Sequence, residues 1–364
     1  MVKVILISQF SLPYQQIGSW TTLYGNYLSD DHQIDIIVCP EPEVKYANVK
    51  YSYVEKDLST AISRRLFGYT YLEYTRALKK VIKNDEKYII QVVDNHGMVP
   101  FISEFLKKNG LRTNCKIQFF YHGFSPLYNN YHGDKFFAHI DEIVLLTKAS
   151  YRSFIRYYNS LPCNVSILAN GIDTSKFTTV DQSQKNKHKS ELGLSGKTVF
   201  IWCSRNRRKK GLELILDAWK HVYPKHPEIA LLVIGGNCKN PINGVKFIGE
   251  IDNDSLPYYY QTADVYLFPT LCHEGFGMSL IEAMHCGCYS IASALGGVPE
   301  VLENGKLGTL VANPHFVTEW VAAITEYLQN PKLAPMLSSE IYSTKSWNNG
   351  MNEIISSVKL TLEK

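Results

Sequence analysis

The chain has 364 residues, of which 45% are apolar, enough to build a full core and, at roughly 150 residues per domain, more than one domain. Lys plus Arg minus Asp plus Glu is 38 − 34 = +4, and only 20% of residues are charged, which excludes a strongly basic nucleic-acid protein and an acidic disordered one. No apolar run reaches the roughly 20 residues that span a bilayer. Residues 1–10 read as a short strand rather than a secretory leader, so the expectation is a cytoplasmic protein. The eight cysteines (39, 115, 163, 203, 238, 272, 286 and 288) form neither a CxxC pair nor a zinc spacing, and read mainly as small hydrophobes.

In chain order, short apolar runs at 4–8, 34–38, 88–93, 116–121 and 142–146 predict strands. Amphipathic stretches such as 20–29 and 100–108 predict helices between them. This alternation predicts an α/β unit with a parallel sheet covered on both faces. Residues 178–195 are polar without a clear period and read as a linker between a first domain, 1–177, and a second, 196–342. The rhythm then restarts. Strands are predicted at 198–203, 229–234, 245–248, 265–269 and 289–292, and helices at 211–223, 254–263 and 277–285. The tail, 343–364, is amphipathic through Trp347, Ile354, Ile355, Val358 and Leu360. It is expected as a helix packing back on the first domain. Two doubly wound units then face one another across a cleft, where a ligand is expected at the strand carboxyl ends.

The window 272–300, CHEGFGMSLIEAMHCGCYSIASALGGVPE, carries the most chemistry. Glu274 lies in the loop after a strand, and Gly275 and Gly277 leave its backbone open to close approach. A helix then begins at Gly277, and its first N–H groups, through Met278, Ser279 and Leu280, can hold a phosphate. Glu282, on that helix, can accept from vicinal hydroxyls, as acidic residues do for ribose. Hydroxyl, phosphate and hydroxyl recognition in this order outline a nucleotide-sugar. A glycine loop leading into an ordinary helix gives the same letters, and GFGMSL lacks the third glycine of a dinucleotide fingerprint. After strand 198–203 comes SRNRRKKG, whose Arg205, Arg207, Arg208, Lys209 and Lys210 can neutralise a diphosphate or form a solvated basic turn.

These segments, with LLVIGG at 231–236, VKFIGEIDNDSLPYYYQTADVYLFPT at 245–270, HEGFGMSLIEAMHCG at 273–287, GGVPEVL at 296–302 and ILANGIDTSKF at 167–177, resemble the retaining GT-B glycosyltransferases of family 4. The resemblance runs along nearly the whole chain and is dense over 165–310. It implies transfer, with retention, of a hexosyl unit from a nucleotide-diphosphate sugar to a hydroxyl of a glycan or lipid-linked acceptor, as in surface polysaccharide or lipopolysaccharide synthesis. It further implies that Arg205 and Lys210 hold the diphosphate and that Glu282 binds the ribose. Glu274, with Gly275, Phe276, Gly277, Met278, Ser279 and Leu280, is implied at the sugar and phosphate. Backbone around Ile248, Glu250 and Ile251 is implied at the base, and Gly18, in QQIGSW, near the diphosphate. His122, in YHGF, matches a family histidine near the anomeric centre, and His96, in VVDNHG, one on the acceptor side. The catalytic set implied is His122, Glu274, Arg205 and Lys210.

No metal or other cofactor is expected. Asp252-Asn253-Asp254 resembles a metal-binding DxD string, but its spacing reads better with Asp254 as the cap of helix 254–263. Residues 63–83 hold six cations, one Glu and interleaved tyrosines. They read either as a face for an anionic membrane or as a packing helix with a solvated basic side. Aromatic residues over 124–131 are expected along the acceptor groove. Two other readings bind the same donor: a sugar-nucleotide 2-epimerase of GT-B architecture and a non-catalytic sugar-nucleotide-binding protein.

Overall fold

The computed structural model describes residues 2–14, 18–55, 70–126, 133–237 and 240–363. The chain divides into two compact units, Met1–Ala169 with Thr344–Lys364, and Asn170–Ser343. The first carries a seven-stranded sheet made of β1 (Val2–Ile7), β2 (Ile36–Cys39), β3 (Lys50–Tyr53), β4 (Lys87–Val93), β5 (Cys115–Tyr121), β6 (Glu142–Leu145) and β7 (Asn164–Ile167). Its helices are α1 (Ser19–Leu28), α2 (Leu72–Lys79), α3 (Met98–Lys108), α4 (Gly133–Phe137) and α5 (Lys148–Tyr158). The second unit runs α6 (Gln182–Glu191), β8 (Thr198–Cys203), α7 (Leu212–Val222), β9 (Ile229–Ile234), β10 (Val245–Gly249), α8 (Leu256–Thr262), β11 (Val265–Phe268), α9 (Met278–His285), β12 (Tyr289–Ser293), α10 (Val298–Val301), β13 (Gly308–Val311) and α11 (Val317–Gln329). The last helix, α12 (Thr344–Glu363), belongs to the first unit.

All strand pairs are parallel, in the orders β3-β2-β1-β4-β5-β6-β7 and β10-β9-β8-β11-β12-β13. Both are doubly wound, Rossmann-like sheets. Their strand order reverses between β1 and β4 and between β8 and β11, and loops at such switch points are where open α/β sheets bind ligands. The central strands are continuous apolar runs because helices cover both faces. IALLVI of β9 is buried at every position. On one face of the first sheet, Trp347, Met351, Ile355, Val358 and Leu362 of α12 join Trp20, Leu23, Tyr24 and Tyr27 of α1 in one core. Their four- and three-residue spacing makes a single helical stripe. Beneath them, Tyr24 donates to Gln91 Oε1 (3.1 Å), Gln91 to Gln118 Oε1 (3.0 Å), and Gln118 to Glu142 Oε2 (2.7 Å). These buried polar groups thus satisfy one another.

Two features differ from the sequence expectation. The polar stretch 178–195 contains α6, which lies inside the second unit rather than joining two domains, and the division falls at 169/170 and 343/344. Asp181 caps α6 by accepting from Gln184 N at 2.8 Å. Lys185 and Lys189 reach Asp264 at 2.9 and 2.7 Å, and His188 packs on the Tyr258 ring at 4.5 Å. Burial alone would raise the Asp264 pKa, but the ammoniums of Lys185 and Lys189 and the Val199 N–H outweigh it and lower it. The helix predicted over 254–263 is shorter. A 3₁₀ turn at Asn253–Ser255 precedes α8, whose first residue is Leu256.

Candidate active site

The second unit's switch point is built from the loops after β8 and β11. After β8 the chain turns through Arg205–Lys210, with Arg207 N donating to Arg205 O and Lys210 N to Arg207 O, each at 2.7 Å. Trp202 Nε1 donates to Lys210 O at 3.1 Å and Leu271 N to Lys209 O at 2.8 Å, which fastens the basic loop to the strand and to the β11 loop. The two loops meet at Gly211, where φ is +73° and a Cβ would stand 2.0 Å from Pro269 O. Only glycine fits both conditions. Of the five cations, Arg205, Arg207, Arg208 and Lys209 are exposed, while Lys210 is half-buried.

Lys210 Nζ donates to Glu274 Oε1 at 2.5 Å. The same oxygen accepts from Thr270 Oγ1 at 3.0 Å and lies 3.7 Å from Cys272 Sγ. The Glu274 backbone is also held, because Gly297 N donates to its carbonyl at 2.8 Å. Gly296, at φ +66°, presses so close that a Cβ would lie 2.3 Å from Glu274 O. Gly277 then turns the chain at φ +95° into α9, with the Phe268 ring beneath it. Among the first N–H groups of α9, those of Met278 and Ser279 precede the first intrahelical bond, Leu280 N to Gly277 O. The β11 loop therefore places a carboxylate paired with a lysine next to a helix start suited to an anion.

Glu282 lies one turn into α9 and is half-buried. Burial pushes its carboxyl up to about 7, with the Lys176 ammonium and the Tyr260 hydroxyl pulling the other way. Ile248 sits at a bulge of β10, because Phe247 pairs with Val233 and Gly249 with Ile234. Its backbone is thereby released from regular pairing. Gly249 O accepts from Gly235 N at 2.7 Å, while Glu250 is exposed and Ile251 half-buried just beyond. The expected capping role of Asp254 is not what forms. Its carboxylate is exposed and accepts from Lys176 Nζ at 2.6 Å, because the 3₁₀ turn moves the helix start past it. Among the described residues no group of three or more His, Cys, Asp or Glu side chains is gathered as for a metal ion.

In the first unit, Gly18 caps α1, and its carbonyl accepts from Thr22 Oγ1 at 2.7 Å and Thr21 Oγ1 at 3.2 Å. Gln15–Ile17 lie outside the described residues. At the ends of β4 and β5, Asp94 Oδ1 accepts from His122 N at 2.7 Å and faces the His122 Nδ1 at 3.5 Å. Asp94 adopts φ +53°, rare for a residue with a side chain, and its N–H is pinned to Phe120 O at 2.9 Å. His96 is exposed two residues before α3. Its neighbour Asn95 accepts from Tyr71 OH at 3.1 Å and donates to Gln9 Oε1 at 3.2 Å, joining the loops after β1 and β4. Residues 63–69 and 127–131 of the stretches singled out above lie outside the described residues. In the remainder of 63–83, Tyr74 of α2 is buried in the core and Tyr71 packs on Phe101 at 5.4 Å, while Arg76, Lys79, Lys80 and Lys83 are exposed. Among the described residues no helix is long and apolar enough to cross a membrane.

The structure thus joins Lys210 to Glu274 and sets both beside the start of α9. It adds partners the motifs did not reveal: Thr270, Lys176, Asp94, and Gly296 with Gly297. The sequence signal they share is a polar or small residue just past the end of a strand or in a quoted motif.

Two Rossmann-like units, with a lysine–carboxylate pair and a helix start at the switch point of the second, place the protein in the GT-B class of folds. Residues 183–344 match the family described as Glycosyl transferases group 1. Curated relatives include a D-inositol 3-phosphate glycosyltransferase of Corynebacterium jeikeium, 26% identical over 203 residues, covering 50% of this chain and 48% of that protein. A phosphatidyl-myo-inositol mannosyltransferase of Mycobacterium tuberculosis is 29% identical over 152 residues, covering 40% of this chain and 39% of that protein. The matches thus span about half the length of these relatives or less. Among solved structures, the Anabaena protein HepE in complex with UDP superposes with TM-score 0.74 at 16% identity, covering 98% of this chain and all of that one. Sucrose-phosphate synthase from Thermosynechococcus elongatus gives 0.73 at 18% identity, covering 99% and 100%. At such identity these two show the shared fold.

Proposed function

We propose that this protein is a glycosyltransferase that moves a hexosyl unit from a nucleotide-diphosphate sugar to a hydroxyl of a glycan or lipid-linked acceptor, with retention at the anomeric carbon. The observation that carries the reading is the Lys210–Glu274 pair beside the start of α9, a cation and a carboxylate that suit a phosphate and a sugar hydroxyl side by side. The relatives' names support glycosyl transfer, and the HepE complex with UDP makes uridine nucleotides the first donors to test.

In this proposal Lys210 and Arg205 neutralise the diphosphate, helped by the N–H groups from Gly277 to Leu280. Glu282 takes the ribose hydroxyls, and the released backbone at Ile248–Ile251 takes the base. Glu274 accepts from the sugar hydroxyls with Gly275 and Phe276 beside it. His122 positions the sugar, His96 serves the acceptor side, and Gly18 approaches the diphosphate. The bond from the anomeric carbon to the phosphate oxygen breaks with both electrons going to the nucleoside diphosphate. The acceptor oxygen bonds to the same face of the carbon, and its proton passes to the departing phosphate oxygen. No side chain is assigned as a covalent nucleophile, and the positive charge for the leaving group comes from Arg205 and Lys210. A role in surface polysaccharide or lipopolysaccharide assembly is the biological setting proposed.

The test is product analysis with radiolabelled or ¹³C-labelled donor. The proposal expects nucleoside diphosphate release that depends on acceptor, and an NMR coupling that shows the donor's anomeric configuration kept. An inverted linkage overturns the mechanism. An epimerised sugar nucleotide formed without acceptor supports the epimerase instead, and donor binding without release supports a sensor.

A further inference from the structure

We infer that Thr270 is a positioning residue that holds the Glu274 carboxylate in place for the sugar, an assignment that rests on the glycosyltransferase reading above. Three donors converge on one oxygen of Glu274: Lys210 Nζ at 2.5 Å, Thr270 Oγ1 at 3.0 Å and Cys272 Sγ at 3.7 Å, all on Oε1. Among the described residues Oε2 takes no hydrogen bond, so the carboxylate presents one held oxygen and one open to a ligand. The Thr270 hydroxyl has a single proton. Oε1 stands nearer to it than the Cys272 carbonyl, at 3.0 against 3.2 Å, and carries charge, which makes it the stronger acceptor.

Thr270 differs from Lys210 in what donor binding does to it. Lys210 is half-buried and carries the charge that a diphosphate recruits, and when it turns to the phosphate it gives up at least part of its bond to Oε1. Thr270 is 1% exposed, fixed at the end of β11 and without a charge to offer a phosphate. It therefore stays on Oε1 through the reaction. Gly297 N does the same for the backbone, bonding Glu274 O at 2.8 Å. One hydroxyl and one backbone N–H together fix where Oε2 points, and a carboxylate held in one orientation before the sugar arrives loses less freedom on binding.

The experiment separates the nucleotide from the sugar. Thr270→Val keeps the branched shape and removes the proton donor, and Thr270→Ser keeps the donor. Binding of UDP and UDP-glucose, and of GDP and GDP-mannose as a second pair, is measured by calorimetry, with turnover on whichever sugar nucleotide the wild type uses. The expected result is nucleoside diphosphate affinity within about twofold of wild type in both variants. Turnover falls on the order of 10- to 100-fold in Thr270→Val, the scale on which ~1–3 kcal/mol of a lost hydrogen bond reads out. Thr270→Ser retains turnover within about threefold. In the background of Glu274→Gln, Thr270→Val costs little more, because the hydroxyl acts through that carboxylate. Unchanged turnover in Thr270→Val overturns the assignment. So does equal loss of diphosphate and sugar-nucleotide affinity, which marks general disruption, or a Thr270→Ser as slow as the valine variant. If Thr270→Val does not fold, Thr270→Ala carries the same expectations. Wild type that binds neither pair overturns the donor reading and this assignment with it, whereas an active wild type with an indifferent Thr270 overturns the assignment alone.

Discussion

Lys210 and Glu274 stand 64 positions apart in the chain and are joined at 2.5 Å across the switch point of the second sheet. The lysine ends the loop after β8 and the glutamate sits in the loop after β11, so the pair ties together the two loops from which an α/β sheet grips its ligand. Each side chain is also the other's counter-charge in a half-buried setting.

Lys210→Ala therefore removes the cation proposed for the phosphate and leaves Glu274 without the lysine it is paired with. Losing one such stabiliser of developing charge costs ~10²–10³-fold in turnover. We predict a loss of that size in steady-state assays, with Lys210→Arg recovering part of it. A Lys210→Ala enzyme within tenfold of wild type removes Lys210 from the leaving-group site.

Gly296→Ala puts a Cβ at φ +66° and 2.3 Å from Glu274 O, and backbone cannot yield as a flexible side chain does. The left-handed conformation alone costs an L-residue ~1–2 kcal/mol. We predict a lowered melting temperature and a larger loss in turnover, since the clash falls on the residue assigned to the sugar. Gly110→Ala, also at positive φ but with nothing within 4 Å, is the control and loses stability only.

Glu282 gives a pH dependence with a definite sign. Burial raises its carboxyl from 4.5 to about 7, so the folded state favours the protonated form. The stability this contributes is present below about 4.5 and is lost as the pH rises through about 7. In urea titrations the difference between wild type and Glu282→Gln is predicted to shrink or reverse over that window, with wild type losing more as pH rises. Ribose hydroxyls donate to a carboxylate, so donor affinity of the wild type is predicted to strengthen as pH rises through about 7 and that of Glu282→Gln to stay flat. A wild-type affinity that is flat from pH 6 to 8 removes Glu282 from the ribose site.

Asp94 offers a test in the first unit. Asn accepts the left-handed backbone that Asp94 adopts at φ +53°, so Asp94→Asn is predicted to fold with little loss of melting temperature. It removes the carboxylate that faces His122 Nδ1 at 3.5 Å. The ¹⁵N spectrum of the His122 imidazole reports which nitrogen carries the proton. We predict a change in that tautomer balance and slower turnover, whereas an unchanged spectrum makes the Asp94 contact a backbone device only.

Much of this architecture was legible in the sequence for a physical reason. Strands buried on both faces become unbroken apolar runs, so Val199–Cys203 and Ile229–Ile234 announce themselves, as does the stripe from Trp347 to Leu362. The edge strand β3, KYSY, and β7, NVSI, are half-exposed and carry no such signal. Helix α6 reads as a linker because it has almost no apolar side. It stands on an Asp181 cap and on Lys189 reaching Asp264, a partner 75 residues along the chain. The candidate site divides the same way. Lys210, Glu274 and Glu282 lie in local motifs that can be read. That Thr270 bonds Glu274, that Gly296 presses on it, or that Lys176 rather than a helix end engages Asp254 depends on contacts formed only when loops from separate strands meet.

On the proposed function, the second unit's switch point binds a nucleotide-diphosphate sugar. The measurement that tests it most directly is thermal unfolding of wild type and Glu282→Ala with a panel of UDP-, GDP-, ADP- and TDP-sugars. Ligand at ~100 times its dissociation constant adds ~2.7 kcal/mol to the native state. We predict that one nucleotide series raises the wild-type midpoint by several degrees and leaves Glu282→Ala nearly unmoved. A wild type indifferent to all four series, or a Glu282→Ala stabilised as strongly as wild type, contradicts it.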